Sequence, residues 1–189
     1  MNTIISLGFG FAIVGFAAYA VTIFNGLIAL KNDIDKAWAN IDVMLKQRHD
    51  ELPKLLEVCK GYMNYEGETL QKITQARSLY QTAVSVDQKA QADQSMTSAL
   101  RGFFAVAENY PQLKANDNFA RLQNRITDLE SQIADRREYY NDSVNTFNIR
   151  IQQMPDTLIA SFMQLTPRPM FKVEEADKAD VPMSFAAAK

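Results

Sequence analysis

The chain has 189 residues, a formal net charge of −2 and a pI near 5.5. This balance gives no whole-chain attraction to nucleic acid, so nucleic-acid partners are not expected. Seven glycines and six prolines favour helices over a β-sandwich or a disordered chain. The single cysteine, Cys59, cannot form an internal disulfide, and its apolar neighbours indicate a buried structural thiol.

Residues 1–30 predict a transmembrane anchor. No charged side chain occurs between Met1 and Leu30, and about 20 apolar residues suffice for a helix to cross the hydrocarbon core of a bilayer. A cleaved signal peptide is the alternative, with Ala18-Tyr19-Ala20 resembling a cleavage site. This alternative is disfavoured because no Lys or Arg precedes the apolar run, which continues for ten residues beyond that site.

Basic residues predict the orientation of the anchor. Lys31, Lys36, Lys46 and Arg48 follow it, whereas no basic side chain precedes it. Since basic residues are retained on the cytoplasmic side, we expect a short N-terminus outside and the helical domain in the cytoplasm.

Small residues form a ladder within the anchor. Ala18, Thr22 and Gly26 stand at four-residue spacing on one face, and Gly8 with Ala12 repeats the pattern. Such ladders allow two transmembrane helices to approach closely, which makes this face a candidate for self-association. Small residues are also common in any membrane helix, so both interpretations stay open.

From Leu27 onward a seven-residue repeat predicts a helix that continues from the anchor without a linker. Neither Gly nor Pro occurs between Leu27 and Leu52, and the helix is expected to bend at Pro53 and to bend or end between Gly61 and Gly67. A second helix is predicted over about 70–84, a turn over 85–88, and a third helix over about 90–107.

The connector 110–117 contains Pro111 and a predicted cap at Asn116 or Asp117. The last long helix has the clearest pattern, and Pro155 is expected to end it; its apolar row, spaced by seven, is Phe119, Ile126, Ile133, Tyr140, Phe147 and Met154. A short helix over 158–163 follows.

These elements predict an all-α fold with a single N-terminal transmembrane helix. This helix continues into an antiparallel four-helix bundle over residues 31–165, with long first and last helices. Residues 166–189 are expected to form an extended or loosely ordered tail, in which Met170 and Phe171 are the strong apolar anchors.

Sequence patterns for chemistry are missing. His49 is the only histidine, so neither a Glu-x-x-His di-iron site nor a Cys/His zinc site can be assembled. Neither a glycine-rich phosphate loop nor a G-x-S-x-G turn occurs. We therefore predict no catalytic, cofactor-binding or metal-ligating residues, no cofactor, and no enzymatic activity.

Two features go beyond ordinary core packing. Arg48 and Arg136 fall on otherwise apolar rows, where they either extend to the surface or fix helix register by pairing with Asp42, Asp50, Asp128 or Glu138. The loop 110–118 is either a structural corner, packed beneath by Leu113 and Phe119, or a partner-docking surface formed by Tyr110, Pro111, Lys114 and Asn116.

Several stretches resemble the LemA family of bacterial membrane proteins. The resemblance covers residues from about 25 to 171, and it is carried by Leu30-Lys31-Asn32-Asp33, Ala37-Trp38-Ala39-Asn40-Ile41-Asp42-Val43, Lys60-Gly61-Tyr62, Tyr110-Pro111-Gln112-Leu113-Lys114-Ala115-Asn116 and Tyr140-Asn141-Asp142-Ser143-Val144-Asn145. It implies an N-terminal anchor in the inner membrane and a four-helix domain. One branch of the family takes part in magnetosome membrane biogenesis, a process to which nothing in this sequence ties the chain.

Two functions fit these expectations. One is a scaffold: a homo-oligomer of anchored bundles that organises or shapes the membrane. The other is an adaptor that tethers a partner, such as a membrane protease or transporter. The ladder and the linker-free first helix favour the scaffold, because an adaptor more often has a flexible linker.

Overall fold

The computed structural model describes residues 2–63 and 66–172. These residues form helices and no strand, which confirms the predicted all-α class for this part of the chain. The helices are α1 (Asn2–Cys59), α2 (Gly67–Thr82), α3 (Val86–Ala107), α4 (Pro111–Lys114), α5 (Asp117–Arg150) and α6 (Asp156–Phe162).

Helix α1 runs unbroken for 58 residues and includes Pro53. Its apolar N-terminal part is long enough, by length and composition, to cross a membrane. Side chains 4–19 are exposed, and the first buried one is Ile23. The predicted continuation of the apolar N-terminal helix without a linker is confirmed. Core packing, however, begins at Ile23 and Leu27, which lie within the stretch predicted to be anchor alone.

The connection between α2 and α3 lies earlier than predicted. The turn expected over 85–88 is wrong because Ser85 is the N-cap of α3 and the next three residues form its first turn. The Gln88 amide donates to Ser85 Oγ at 3.2 Å, while the Gln88 side chain accepts from the Ser85 amide at 3.1 Å. This reciprocal capping box explains the polar residues.

The connector after α3 contains the one-turn helix α4, and Asn116 caps α5 as predicted. Its side chain accepts from the amides of Asn118 and Phe119, at 2.9 and 3.2 Å. Helix α5 ends at Arg150, before the expected Pro155. The row from Phe119 to Phe147 is buried, but Met154 lies beyond the helix and is exposed, so its assignment to the row is wrong.

Two hydrophobic cores follow one another along α1. The proximal core, near the apolar part of α1, joins early α1 residues to late α5 residues and consists of Ile23, Leu27, Ile34, Ala37, Ile41, Leu45, Ala90, Ile133, Tyr140, Val144, Phe147, Ile151, Ala160 and Phe171. The distal core joins the end of α1 to the start of α5 and to α2, α3 and α4, through Leu52, Leu55, Cys59, Met63, Ile73, Ala76, Met96, Leu100, Phe103, Ala107, Leu113, Phe119 and Ile126.

The two cores are covered by different elements. The distal core contains residues of α2 and α3 throughout, whereas the buried residues that α2 and α3 give to the proximal core are limited to Ala90. Residues of α6 and of the segment after it belong to the proximal core as well. Buried residues of α2 and α3 therefore lie mainly in the distal core.

Residues 166–172, here named the strap, form neither helix nor strand and pack against α5. The Asn148 side chain exchanges two hydrogen bonds with the backbone of Arg168, at 2.9 and 2.8 Å, and Asn141 does the same with Phe171, at 3.0 and 2.7 Å. Phe171 is buried in the proximal core. These contacts hold the strap against α5. Residues 173–189 lie outside the described residues, so an extended or loosely ordered tail over 166–189 stays a prediction.

Candidate functional site

A network of charges lies between the two cores and defines the candidate site. Arg48 of α1 is 3% exposed and Asp93 of α3 is 1% exposed. Arg48 Nη2 and Asp93 Oδ1 are 2.6 Å apart. Charged groups this deeply buried are tolerated when they are paired and fully hydrogen-bonded.

Helix α5 completes this charge network. Arg48 Nη1 donates to Glu130 and, at 3.2 Å, to Thr97 Oγ1, while Thr97 donates to Glu130 Oε2 at 2.8 Å. Arg137 Nη1 donates to the second oxygen of Asp93 at 2.8 Å. Two guanidinium groups therefore face two carboxylates. Because a guanidinium keeps its proton at neutral pH, the arrangement suits positioning of helices better than proton transfer.

The position of the network follows from the apolar rows. In α1 it stands between Leu45 and Leu52, the last proximal and the first distal core residues of that helix. In α5 Glu130 stands between Ile126 and Ile133, and Arg137 follows one turn after Ile133. In α3 Asp93 stands between Ala90 and Met96, and Thr97 comes directly after Met96. One charged layer thus interrupts an otherwise apolar interior on three helices at the same level.

The predicted charges are only partly in this network. Arg48 lies at its centre, but its partners are Asp93 and Glu130 rather than Asp42, Asp50, Asp128 or Glu138. Arg136 is exposed, and the neighbouring Arg137 reaches Asp93 instead. Sequence reasoning missed Asp93, although a signal existed: it stands on a row spaced by seven, with Val86, Leu100 and Ala107.

A second polar cluster joins α1, α2 and α3 beside the network. Lys89 pairs with Asp42, and its ammonium lies 5.6 Å from the ring centroid of Trp38 and 5.9 Å from that of Tyr80. Burial and the nearby carboxylates of Asp42 and Asp50 raise the pKa of Tyr80 to about 12, so its phenol stays protonated. The cluster therefore holds Lys89 between an acid and two aromatic rings.

The loop 110–118 contacts the segment between α1 and α2. Tyr110 Oη donates to Glu66 at 2.9 Å, and the Asn116 side chain donates to Tyr62 Oη at 3.3 Å. Leu113 is buried beneath the loop. These contacts are those of a structural corner.

Other residues of the same loop face outward. Pro111 and Lys114 are exposed, and Lys114 pairs with Glu108 on the surface. A docking role for this face stays a prediction.

The small-residue ladder is divided between two environments. Ala18 and Thr22 are exposed, whereas Gly26 lies against α5. A Cβ at Gly26 would lie 3.3 Å from Arg150 Nη1 of the same chain, so glycine allows this guanidinium to cross α1 closely. Arg150 Nε in turn donates to Asp156 of α6 at 2.7 Å. At Gly26 the ladder therefore serves a contact within the chain.

Comparison with known proteins gives matches over most of the chain. The model of the LemA family matches residues 37–185. A protein named Protein LemA, from Metamycoplasma hominis, is 30% identical over 162 residues, which cover 85% of this chain and 74% of that protein.

Two magnetosome proteins match over a shorter segment. Magnetosome protein MamQ 2 of Paramagnetospirillum magneticum is 35% identical over 69 residues, or 36% of this chain and 25% of its own length. Magnetosome protein MamQ of Magnetospirillum gryphiswaldense is 33% identical over 64 residues, or 34% and 24%. The alignments span about a quarter of these relatives, too little to carry over what they do.

Proposed function

This chain belongs to the LemA family, and on that premise we propose that it is a non-enzymatic scaffold of the bacterial inner membrane. In this proposal α1 anchors the chain in the bilayer, and anchored copies associate side by side to organise or shape the membrane. The observation that carries the proposal is the continuity of α1, whose exposed apolar part and buried part belong to one helix.

Rigid coupling between the anchor and the proposed bundle favours a scaffold over an adaptor. The proposed domain is an antiparallel bundle of α1, α2, α3 and α5, extended toward the membrane by α1 and α5. Because Ile23 and Leu27 already pack against α5 and α6, no flexible stretch separates anchor from bundle. A tether needs only to raise the local concentration of its partner, for which such a junction is unnecessary.

The charge network supports the same proposal. Its hydrogen bonds are satisfied together only when α1, α3 and α5 hold one axial alignment, and a sliding helix would leave buried charges unpaired. In our proposal Arg48 and Asp93 fix this register, so each copy presents the same surface at the same angle to the membrane.

The topology is tested with a reporter fused after Lys189. Four basic residues follow the apolar stretch and none precede it, so we expect the fusion to be active as a cytoplasmic reporter and inactive as a periplasmic one. A matched fusion before Met1 should behave in the opposite way. Periplasmic activity of the C-terminal fusion would reverse the proposed orientation.

Self-association is tested by energy transfer between labelled copies in vesicles. Val84 is exposed in the α2–α3 connector, so Val84→Cys offers a labelling position away from the core. We expect energy transfer above the level of random encounters at low protein density. Adding Ala18→Leu and Thr22→Leu should reduce it, because the larger side chains keep neighbouring helices apart.

The control for this experiment is Ala17→Leu, which enlarges a side chain on another exposed face of the helix and should leave energy transfer unchanged. If the chain with its native ladder shows only random-level energy transfer at every protein density, the scaffold is excluded. The adaptor then remains, a monomer or small oligomer that holds a membrane-protein partner.

A further inference from the structure

Helix α6 exposes large apolar side chains on its outer side. Phe162 is 87% exposed, Leu158 is exposed on the same helix, and Met154 is exposed just before it. The inner side of α6 is apolar as well, since Ala160 is buried in the proximal core and Ile159 packs against it. A cluster of large exposed apolar side chains next to an apolar core marks a candidate surface for contact with a protein or a membrane.

This exposed surface lies at the level where the anchor ends. Ala160 shares the proximal core with Ile23 and Leu27, the first buried residues of α1. Arg150 holds the two helices together, because its guanidinium lies against Gly26 and bonds the Asp156 carboxylate at the start of α6. The position of α6 along α1 is thereby fixed.

The length of the anchor places this level relative to a bilayer. A helix rises about 1.5 Å per residue, so the residues from Ile4 to Ile23 span about 30 Å, the thickness of the hydrocarbon core. The first charged side chain of α1 is Lys31, two turns further on. The segment 24–30, which contains Gly26 beside the Arg150 guanidinium, therefore corresponds to the interfacial zone between hydrocarbon and water.

We propose that α6 is a second membrane contact, with Met154, Leu158 and Phe162 inserted among lipids at the interface beside the anchor. The inference rests on the proposed anchoring of α1. The ligand of this exposed surface is the lipid bilayer. Apolar side chains presented next to a polar helical domain enter this zone readily, because the zone accepts apolar surface at shallow depth.

Such a contact would fix the orientation of the helical domain as well as its depth relative to the membrane. A single transmembrane helix leaves its domain free to rotate about the membrane normal and to tilt. A contact off the axis of α1 selects one tilt and determines which side of the bundle faces the membrane. Continuity with the anchor favours lipid as the occupant of this surface over a second copy of the chain.

The test is a depth measurement with spin labels on the full chain in phosphatidylcholine–phosphatidylglycerol vesicles. Labels are attached at Phe162→Cys and, as a control of equal exposure, at Val84→Cys, which is 89% exposed and lies in the α2–α3 connector. Cys59 is buried and its pKa is raised to about 12 by burial, so the unaltered chain serves as the labelling blank. A third label at Phe11→Cys reports on the anchor.

We expect the ratio of oxygen accessibility to nickel-chelate accessibility to be several-fold higher at position 162 than at position 84, and highest at position 11. A water-like ratio at 162 with a lipid-like ratio at 11 would overturn this inference and leave the anchor standing. A water-like ratio at 11 would overturn the anchor, and this inference with it. Protection of the label at 162 from both reagents, with dipolar broadening between labels, would assign the surface to a second copy instead.

Discussion

Replacing Asp93 with alanine is expected to lower the free energy of unfolding by about 3–5 kcal/mol, the range seen when one partner of a buried ion pair is removed. Asp93 accepts from both Arg48 and Arg137, at 2.6 and 2.8 Å, and its side chain is fully buried. Without it, Arg48 keeps Glu130 as a counter-charge but loses its deepest partner. The guanidinium is then left in an apolar interior with one hydrogen-bond donor unsatisfied.

The single tryptophan provides the measurement. Trp38 packs on Tyr140 and Phe171, with ring centroids 5.7 and 6.1 Å away, so its fluorescence should report loss of the proximal core during urea titration of the full chain in micelles. Asp135→Ala, at an exposed position of α5, is the control and should change stability by less than about 0.5 kcal/mol.

Adding Arg48→Met to the Asp93→Ala variant should recover part of the loss, because the uncompensated charge is replaced by an apolar side chain of similar length. A loss below about 1 kcal/mol for Asp93→Ala alone would show that water or a shifted side chain satisfies Arg48, and that the network does not hold the helices in register.

Phe147→Ala is expected to cost about 3–5 kcal/mol, since removing a fully buried aromatic ring loses its transfer free energy and leaves a cavity. Phe147 is buried in the proximal core, where α1 and α5 meet near α6 and the strap. The surrounding side chains come from several elements tied to one another, which limits how far they can relax into the space. The same fluorescence titration measures the effect.

Two isoleucines of α5 provide a matched pair for this prediction. Ile133 is buried and Ile149 is exposed, although both lie on the same helix. Ile133→Ala should cost about 2–5 kcal/mol and Ile149→Ala less than about 0.5 kcal/mol. Equal, small effects at Phe147 and Ile133 would mean that the row forms an exposed binding face and that α1 does not pack against it.

Periodicity predicted much of this fold because helices with one apolar face are readable from spacing alone. The continuity of α1 and the buried row from Phe119 to Phe147 both follow from residues spaced by seven. Spacing also placed Arg48 on an apolar face. It could not identify Asp93 as the partner, because a repeat gives the face of a helix and leaves open which helix lies opposite and at what height.

The misplaced boundaries have a different cause. Polar residues at 85–88 were interpreted as a turn, whereas Ser85 and Gln88 cap each other and begin a helix. The hydrogen bonds that hold the strap are not predicted, because Asn141 and Asn148 are polar and resemble a solvated face in sequence. In both places side-chain amides bond to backbone groups, an interaction that hydrophobic patterning does not register.

The strap and α5 have binding groups at matching distances along their lengths. Asn141 and Asn148 are seven residues apart on α5, a rise of about 10.5 Å, and the backbone groups they bind belong to Phe171 and Arg168, three residues apart, a span of about 10 Å in an extended chain. Each asparagine bonds to main-chain atoms alone. Side chains along the strap can therefore vary with little effect on these bonds, whereas inserting or deleting one residue would shift the chain by about 3.3 Å and break one of the two pairings. The spacing of the two asparagines therefore constrains the length of this segment, whereas its composition is constrained at Phe171 by burial in the proximal core.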